Sequence, residues 1–188
     1  KNKDKTNTNF FDAYLLLILD SFKNKDFSKA NEYLQSATNL PKLNRINSAI
    51  LESLKQYTYV FSENKILENK KNLGKLSAIS EVFQRCFLED DKTETLFSNL
   101  IKDEDGDYTR YIYFHLSYLV ENNELEKAKK ITNNLDYINT TLLLSQGKSW
   151  VQSKNTEKFL NVFSCKNQSD IIGEFLFLIS NLYSSQDN

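Results

Sequence analysis

Catalysis needs groups that converge, and this chain offers few to begin with. His115 is its only histidine. That excludes a histidine-based metal cluster and leaves a single His–Cys contact as the most a nucleophilic site could use. It sits in the run "YTRYIYFHLSYL", where a packed helical histidine is a better reading than a ligand or a base. Cys86 and Cys165 are far apart in sequence, make no zinc motif and fall within apolar helical patterns. Two buried free thiols are expected there rather than a bridge. "KDEDGDY" resembles a calcium loop with Gly106 at its sixth position and Asp103 and Asp105 at the third and fifth. Its first and twelfth positions are then Ile101 and Ile112, so both end ligands are missing and an acidic connector is expected. Gly74, Gly106, Gly147 and Gly173 are isolated and cannot cradle a phosphate. The carboxylates lie on charge-mixed, solvated faces. No catalytic residue, metal or cofactor is assigned, and the chain is read as not an enzyme.

The elements that would have to position a site are helices. Of the 188 residues, 24 are basic and 25 acidic, a balance that argues against a nucleic-acid footprint. There is one proline, Pro41, and only four glycines, too few turn residues for an all-β fold. No apolar run approaches the length of a membrane span, so direct membrane insertion is not expected. Abundant asparagine and lysine read as the bias of an AT-rich genome. The chain has no methionine, so Lys1 reads as the start of a processed or cut piece. The compartment, bacterial cytoplasm or periplasm, is left open for a soluble chain.

Apolar residues recur at three- and four-residue spacing in separate runs. Phe11, Tyr14, Leu15, Leu17, Ile18 and Phe22 make one helix, which breaks at Asn24–Asp26. Phe27, Ala30, Leu34 and Ala37 make a second helix with a narrower stripe, which Pro41 ends. The pattern returns in "SYLVENNELEKAKKI". Tyr111, Ile112, Phe114, Leu116, Leu119 and Val120 go almost all the way round a helix; after the break, Leu125, Ala128 and Ile131 keep to one side. Asn123 with Glu126 fits a capping box. Further helices are expected over 46–61, with a weak polar one after Asn64, and over 76–88, resuming through Leu96–Ile101. Others are expected over 142–151, resuming through Phe159–Phe163, and over 171–183. The breaks at Asp26, Asn64, Asp91, Glu124, Asn155 and Asp187 recur about every 32 residues.

A two-helix unit of about 34 residues is the tetratricopeptide signature, and the first unit resembles that family in order: Tyr14, Leu17, Ala30, Leu34, Ala37, then Pro41. In the unit from Thr109, Ile112 and Ala128 fit. The small-residue position is filled by Ile18, Leu116 and Ile179, so helices approach less closely than in ideal repeats. The phrase "LLILDSFKNKDF" is similar to divergent repeat arrays of alphaproteobacterial proteins. The resemblance implies an all-α fold, a right-handed α-α superhelix of about five hairpins plus a truncated sixth. Residues 1–8 would be a flexible lead-in and 9–188 one array.

The resemblance also implies a groove lined by first helices. Its positions are Asp12, Leu15, Leu19 and Phe22 in the first unit and Arg110, Tyr113, Ser117 and Glu121 in the fourth. The Lys–Asn pair with which some members clamp a C-terminal carboxylate is absent. Leu15 and Leu19, or Tyr113 and Ser117, stand in its place. The expected role is a non-enzymatic protein–protein interaction scaffold taking a protein or peptide, in particular an apolar or amphipathic helix. Tyr111 or Tyr113 could serve as anchors, although aromatic residues at helical spacing usually form core. The alternative is a structural spacer within a longer solenoid, binding no ligand and self-associating through its truncated end.

Overall fold

The computed structural model describes residues 10–41, 43–102, 109–135 and 141–184. Among them are ten helices and no strand, so the all-α expectation holds. The helices are α1 (Phe11–Lys23), α2 (Phe27–Thr38), α3 (Arg45–Glu63), α4 (Lys75–Phe87), α5 (Thr93–Ile101), α6 (Thr109–Glu121), α7 (Leu125–Asn133), α8 (Leu142–Gln152), α9 (Glu157–Leu160) and α10 (Gln168–Ser184). No described helix is long and apolar enough to cross a membrane. The lead-in, most of "KDEDGDY" and the last break at Asp187 lie outside the described residues.

Four of the breaks share one turn. Lys25, Glu89, Asn123 and Lys154 each adopt a left-handed backbone, with φ of 57°, 55°, 62° and 57°. In each, the next amide donates back five residues: Asp26 to Ser21, Asp90 to Arg85, Glu124 to Leu119 and Asn155 to Trp150, at 2.7–2.9 Å. This is the Schellman closure, which satisfies the orphan carbonyls of a helix end. A glycine would adopt the left-handed conformation without steric cost, but none of the four turns has one. The asparagine and charged residues at the breaks therefore carry the turn. After it, Asp26 caps α2 by accepting from the Lys29 amide at 3.0 Å.

The fold corrects several details of the sequence reading. No helix follows Asn64: Asn64, Asn69 and Gly74 all take positive φ, and the segment has too few apolar residues to bury a stripe. The expected helix through Phe163 stops at Leu160. Asn123 is the left-handed turn residue and not an N-cap. That place belongs to Glu124, which makes no side-chain cap bond. Cys86 and Cys165 are not free thiols: they are joined as a disulfide, their Cα atoms 5.8 Å apart, a separation that a bridge spans readily.

The chain divides into two compact units, Lys1–Ser77 with Leu182–Asn188, and Ala78–Asn181. In the first, Phe22, Phe27 and Phe61 form a triangle of rings about 6 Å apart, and Ala30, Leu34 and Ala37 bury the inner stripe of α2. In the second, α6 is central. It packs against α5, α7, α8 and α9 and buries residues nearly all round, Tyr111, Tyr113, Phe114, His115, Leu116, Ser117 and Leu119. By contrast, α7 buries only Ala128 and Thr132 and keeps its charged side in water. Gly147 lets α8 come close to α6: a Cβ there would lie 3.0 Å from the Tyr113 ring.

Candidate functional site: a groove between α2 and α3

Among the described residues, a concavity lies in the first unit along the seam of α2 and α3. Two adjoining cavities of about 430 and 370 Å³ share Asn31 and Lys55 as common lining residues. On α2 the lining steps through Phe27, Ser28, Asn31, Leu34, Gln35 and Thr38, and on to its C-cap Asn39. On α3 it steps through Leu51, Lys55, Thr58, Tyr59, Ser62 and Glu63. Both series follow the three- and four-residue spacing of one helix face, so the cavities form one groove along the helices. Its length, from Phe27 to Asn39, is ~18 Å at the helical rise. Leu67, in the irregular stretch after α3, closes one end.

The floor is apolar, through Leu34 and Leu51, which are buried, with Phe27 half-buried at one end. The walls are amides and hydroxyls. The Thr58 hydroxyl is used within its own helix, donating to the Leu54 carbonyl at 2.8 Å, as is Thr38 to Leu34 at 2.8 Å. Asn31, Gln35 and Asn39 are exposed, and their side-chain amides have no hydrogen-bond partner among the described residues. Lys55, at the middle of the groove, is exposed and has no ion-pair partner among them either. The lining contains no histidine or cysteine. The arrangement is suited to holding something by shape and hydrogen bonds.

The second unit has an open cleft of about 330 Å³ where Arg110, Phe114, Phe163, Asp170 and Glu174 meet. Its charges are already engaged. The Arg110 guanidinium grips Glu174 through Nε at 2.8 and 3.0 Å and through Nη2 at 2.7 Å. It also lies over the rings of Phe114 and Phe177, 5.1 and 4.4 Å from their centroids. Tyr111 donates to the same carboxylate at 3.4 Å. Burial raises the pKa of Glu174 in spite of Arg110, the usual balance when desolvation exceeds the attraction returned. Asp170 accepts from the Ser164 amide at 2.9 Å. This cluster fastens the segment before α10 and leaves little charge to offer.

The sequence-derived groove positions are distributed differently. Asp12 is exposed and Leu15 and Leu19 are half-buried, while Phe22 is buried against Phe27 and Phe61. Tyr113 is fully buried against Trp150 and Phe159, and Ser117 donates to the Phe163 carbonyl at 2.8 Å from a buried position. Tyr111 is buried as well. The three tyrosine and serine side chains are core and cannot meet a partner directly. Burial also raises the Tyr113 phenol well above its ordinary range. Glu121 accepts from the Ser164 hydroxyl at 3.0 Å. Of the eight positions, Arg110 alone lines one of the three cavities described. His115 is buried, its ring stacked on Phe97 with centroids 5.1 Å apart, and neither nitrogen has a partner among the described residues.

Among the described residues no group of three or more His, Cys, Asp or Glu side chains could hold a metal ion. No protein-family model, curated protein or solved structure matches the chain.

Proposed function

We propose that the chain is a non-enzymatic protein-interaction scaffold built from tetratricopeptide-like hairpins, and that its contact surface is the groove between α2 and α3. One observation carries the reading: two adjoining cavities run along paired helix faces, over an apolar floor, between walls whose side-chain amides have no hydrogen-bond partner among the described residues. Such walls provide hydrogen-bond donors and acceptors, which suits recognition. The recurring left-handed turn supports the repeat character, since the same closure ends the first helix of four hairpins. Stacking of such hairpins into a right-handed superhelix belongs to the proposal, because a hairpin that cannot bury its apolar side alone gains a core from its neighbours.

The test is selection of a random peptide display library on the immobilised chain. Enriched peptides should lose binding to the Asn31→Ala, Lys55→Ala double variant, which alters two exposed side chains and should melt within about 1 °C of the parent, as surface changes usually do. A selection that enriches nothing, or peptides that bind the double variant equally well, overturns the assignment of the groove.

A further inference from the structure

Resting on that reading of the groove, we infer that its ligand is an extended peptide segment, held by its main chain and carrying an acidic side chain opposite Lys55. The first ground is register. Asn31 and Gln35 on α2 and Asn39 at its C-cap are four residues apart, so their Cα atoms rise ~6 Å per step along the groove. An extended chain repeats every two residues, ~6.6 Å. Successive side-chain amides therefore fall opposite alternate residues of a strand laid along α2. Each amide presents both an N–H donor and a carbonyl acceptor, the pair that a peptide unit needs, and these three are unengaged by the described residues.

The second ground is shape. The groove extends ~18 Å along the helices, room for about five extended residues. Side chains that alternate along a strand would point in turn to the apolar floor at Leu34 and Leu51 and out to solvent. A docked amphipathic helix has the opposite requirement. Its main chain is satisfied internally, so the row of amides would be covered without partners, at a cost for each buried amide.

The third ground is charge. Lys55 lines both cavities and lacks an ion-pair partner among the described residues. The other charged lining residue, Glu63, sits at the Leu67 end and accepts from the Ser62 hydroxyl at 3.2 Å. A carboxylate placed mid-groove would meet Lys55, and a lysine there would be repelled. The acid is a side chain within the segment, since the groove is open at its centre and needs no chain end.

The experiment uses fluorescence anisotropy of the whole chain with a labelled peptide of alternating leucine and serine around one central glutamate, both ends capped. Three companion peptides replace the glutamate by lysine, N-methylate alternate backbone amides, or staple the sequence as a helix. The glutamate peptide should bind at least tenfold more tightly than each of the three. Lys55→Glu should reverse the glutamate–lysine preference, and Asn31→Ala with Gln35→Ala should weaken binding at least tenfold while leaving the melting temperature in place. If charge and N-methylation make no difference, or the stapled helix binds best, the inference is overturned while the scaffold reading keeps its own test by display. Absence of binding by all four peptides also overturns it. So does a glutamate-peptide signal that disappears as the chain self-associates at rising protein concentration, which would assign the groove to a second copy.

Discussion

The burial of His115 sets a pH dependence that can be worked through. The residue is 3% exposed, stacked on Phe97, and without a hydrogen-bond partner for either nitrogen among the described residues. Burial lowers its pKa to about 4; Glu94 opposes the shift and Lys127 adds to it. The folded chain thus keeps the ring neutral at pH values where the unfolded chain protonates it, near the ordinary value of about 6.5. The unfolded state binds more protons through this window, so stability falls as pH drops from about 6.5 towards 4, and levels below it. Relative to high pH the loss is about 0.2 kcal/mol at pH 7 and about 2 kcal/mol at pH 5. His115→Leu removes the titrating group. Whatever the replacement costs in packing is common to both pH values, so the comparison between pH 7 and pH 5 cancels it. Urea unfolding should be followed by fluorescence of Trp150, the one tryptophan, which packs on Tyr113 and Phe159 in the same unit. Between pH 7 and pH 5 the parent should lose about 2 kcal/mol more than the variant. Parallel losses, within about 0.5 kcal/mol, would mean that the folded chain accommodates the imidazolium and that the ring is not dry.

Other consequences can be checked in the same way. Arg110→Leu leaves Glu174 buried without its countercharge and should cost about 3 kcal/mol, the low end for such pairs because Arg110 is half-exposed. Adding Glu174→Leu should recover most of that loss, and a double-mutant cycle on urea midpoints reads the coupling. Gly147→Ala pushes a methyl against the Tyr113 and Phe159 rings, at 3.0 and 3.3 Å, and should cost about 1–3 kcal/mol by overpacking. Thiol titration of the oxidised, denatured chain should find no free cysteine, and Cys86→Ala with Cys165→Ala should lower stability by about 4 kcal/mol for a bridge closing a separation of 79 residues. Asp26→Ala removes the cap on the Lys29 amide and should cost about 1 kcal/mol in thermal unfolding.

What the sequence disclosed follows from which contacts are local. Helix spacing is a local signal, so α1, α2, α3 and α6 stand where their apolar residues recur. The crowding of α6 was legible because aromatic and aliphatic residues surround it, and the structure buries them. The turns are marked by loss of apolar pattern, but their left-handed closure is hidden at Lys25, Glu89 and Lys154, because lysine and glutamate give no sign of a positive φ. Pairing between distant residues is a different matter. Nothing near Cys86 points to Cys165, and only the folding of the segment after α9 against α4 and α6 brings them together, with Phe163 lodged between Phe83 and Phe114.

The groove shows the same limit from the other side. Asn31, Gln35 and Asn39 form a polar stripe beside the buried stripe of Ala30, Leu34 and Ala37. In sequence, such a stripe is indistinguishable from an ordinary solvated face. It acquires meaning only when α3 lies alongside and sets Lys55, Thr58 and Tyr59 against it, with Leu67 at the end. Tyr113 and Ser117 have a spacing that suits a surface, but Trp150 and Phe159 pack on the first and Phe163 on the second, and both are core. A helix face is exposed or buried according to what is packed on it, and that is decided by elements far along the chain. The amide stripe of α2 is therefore the better candidate for contact: it remains open after the described neighbours of its own unit have taken their places.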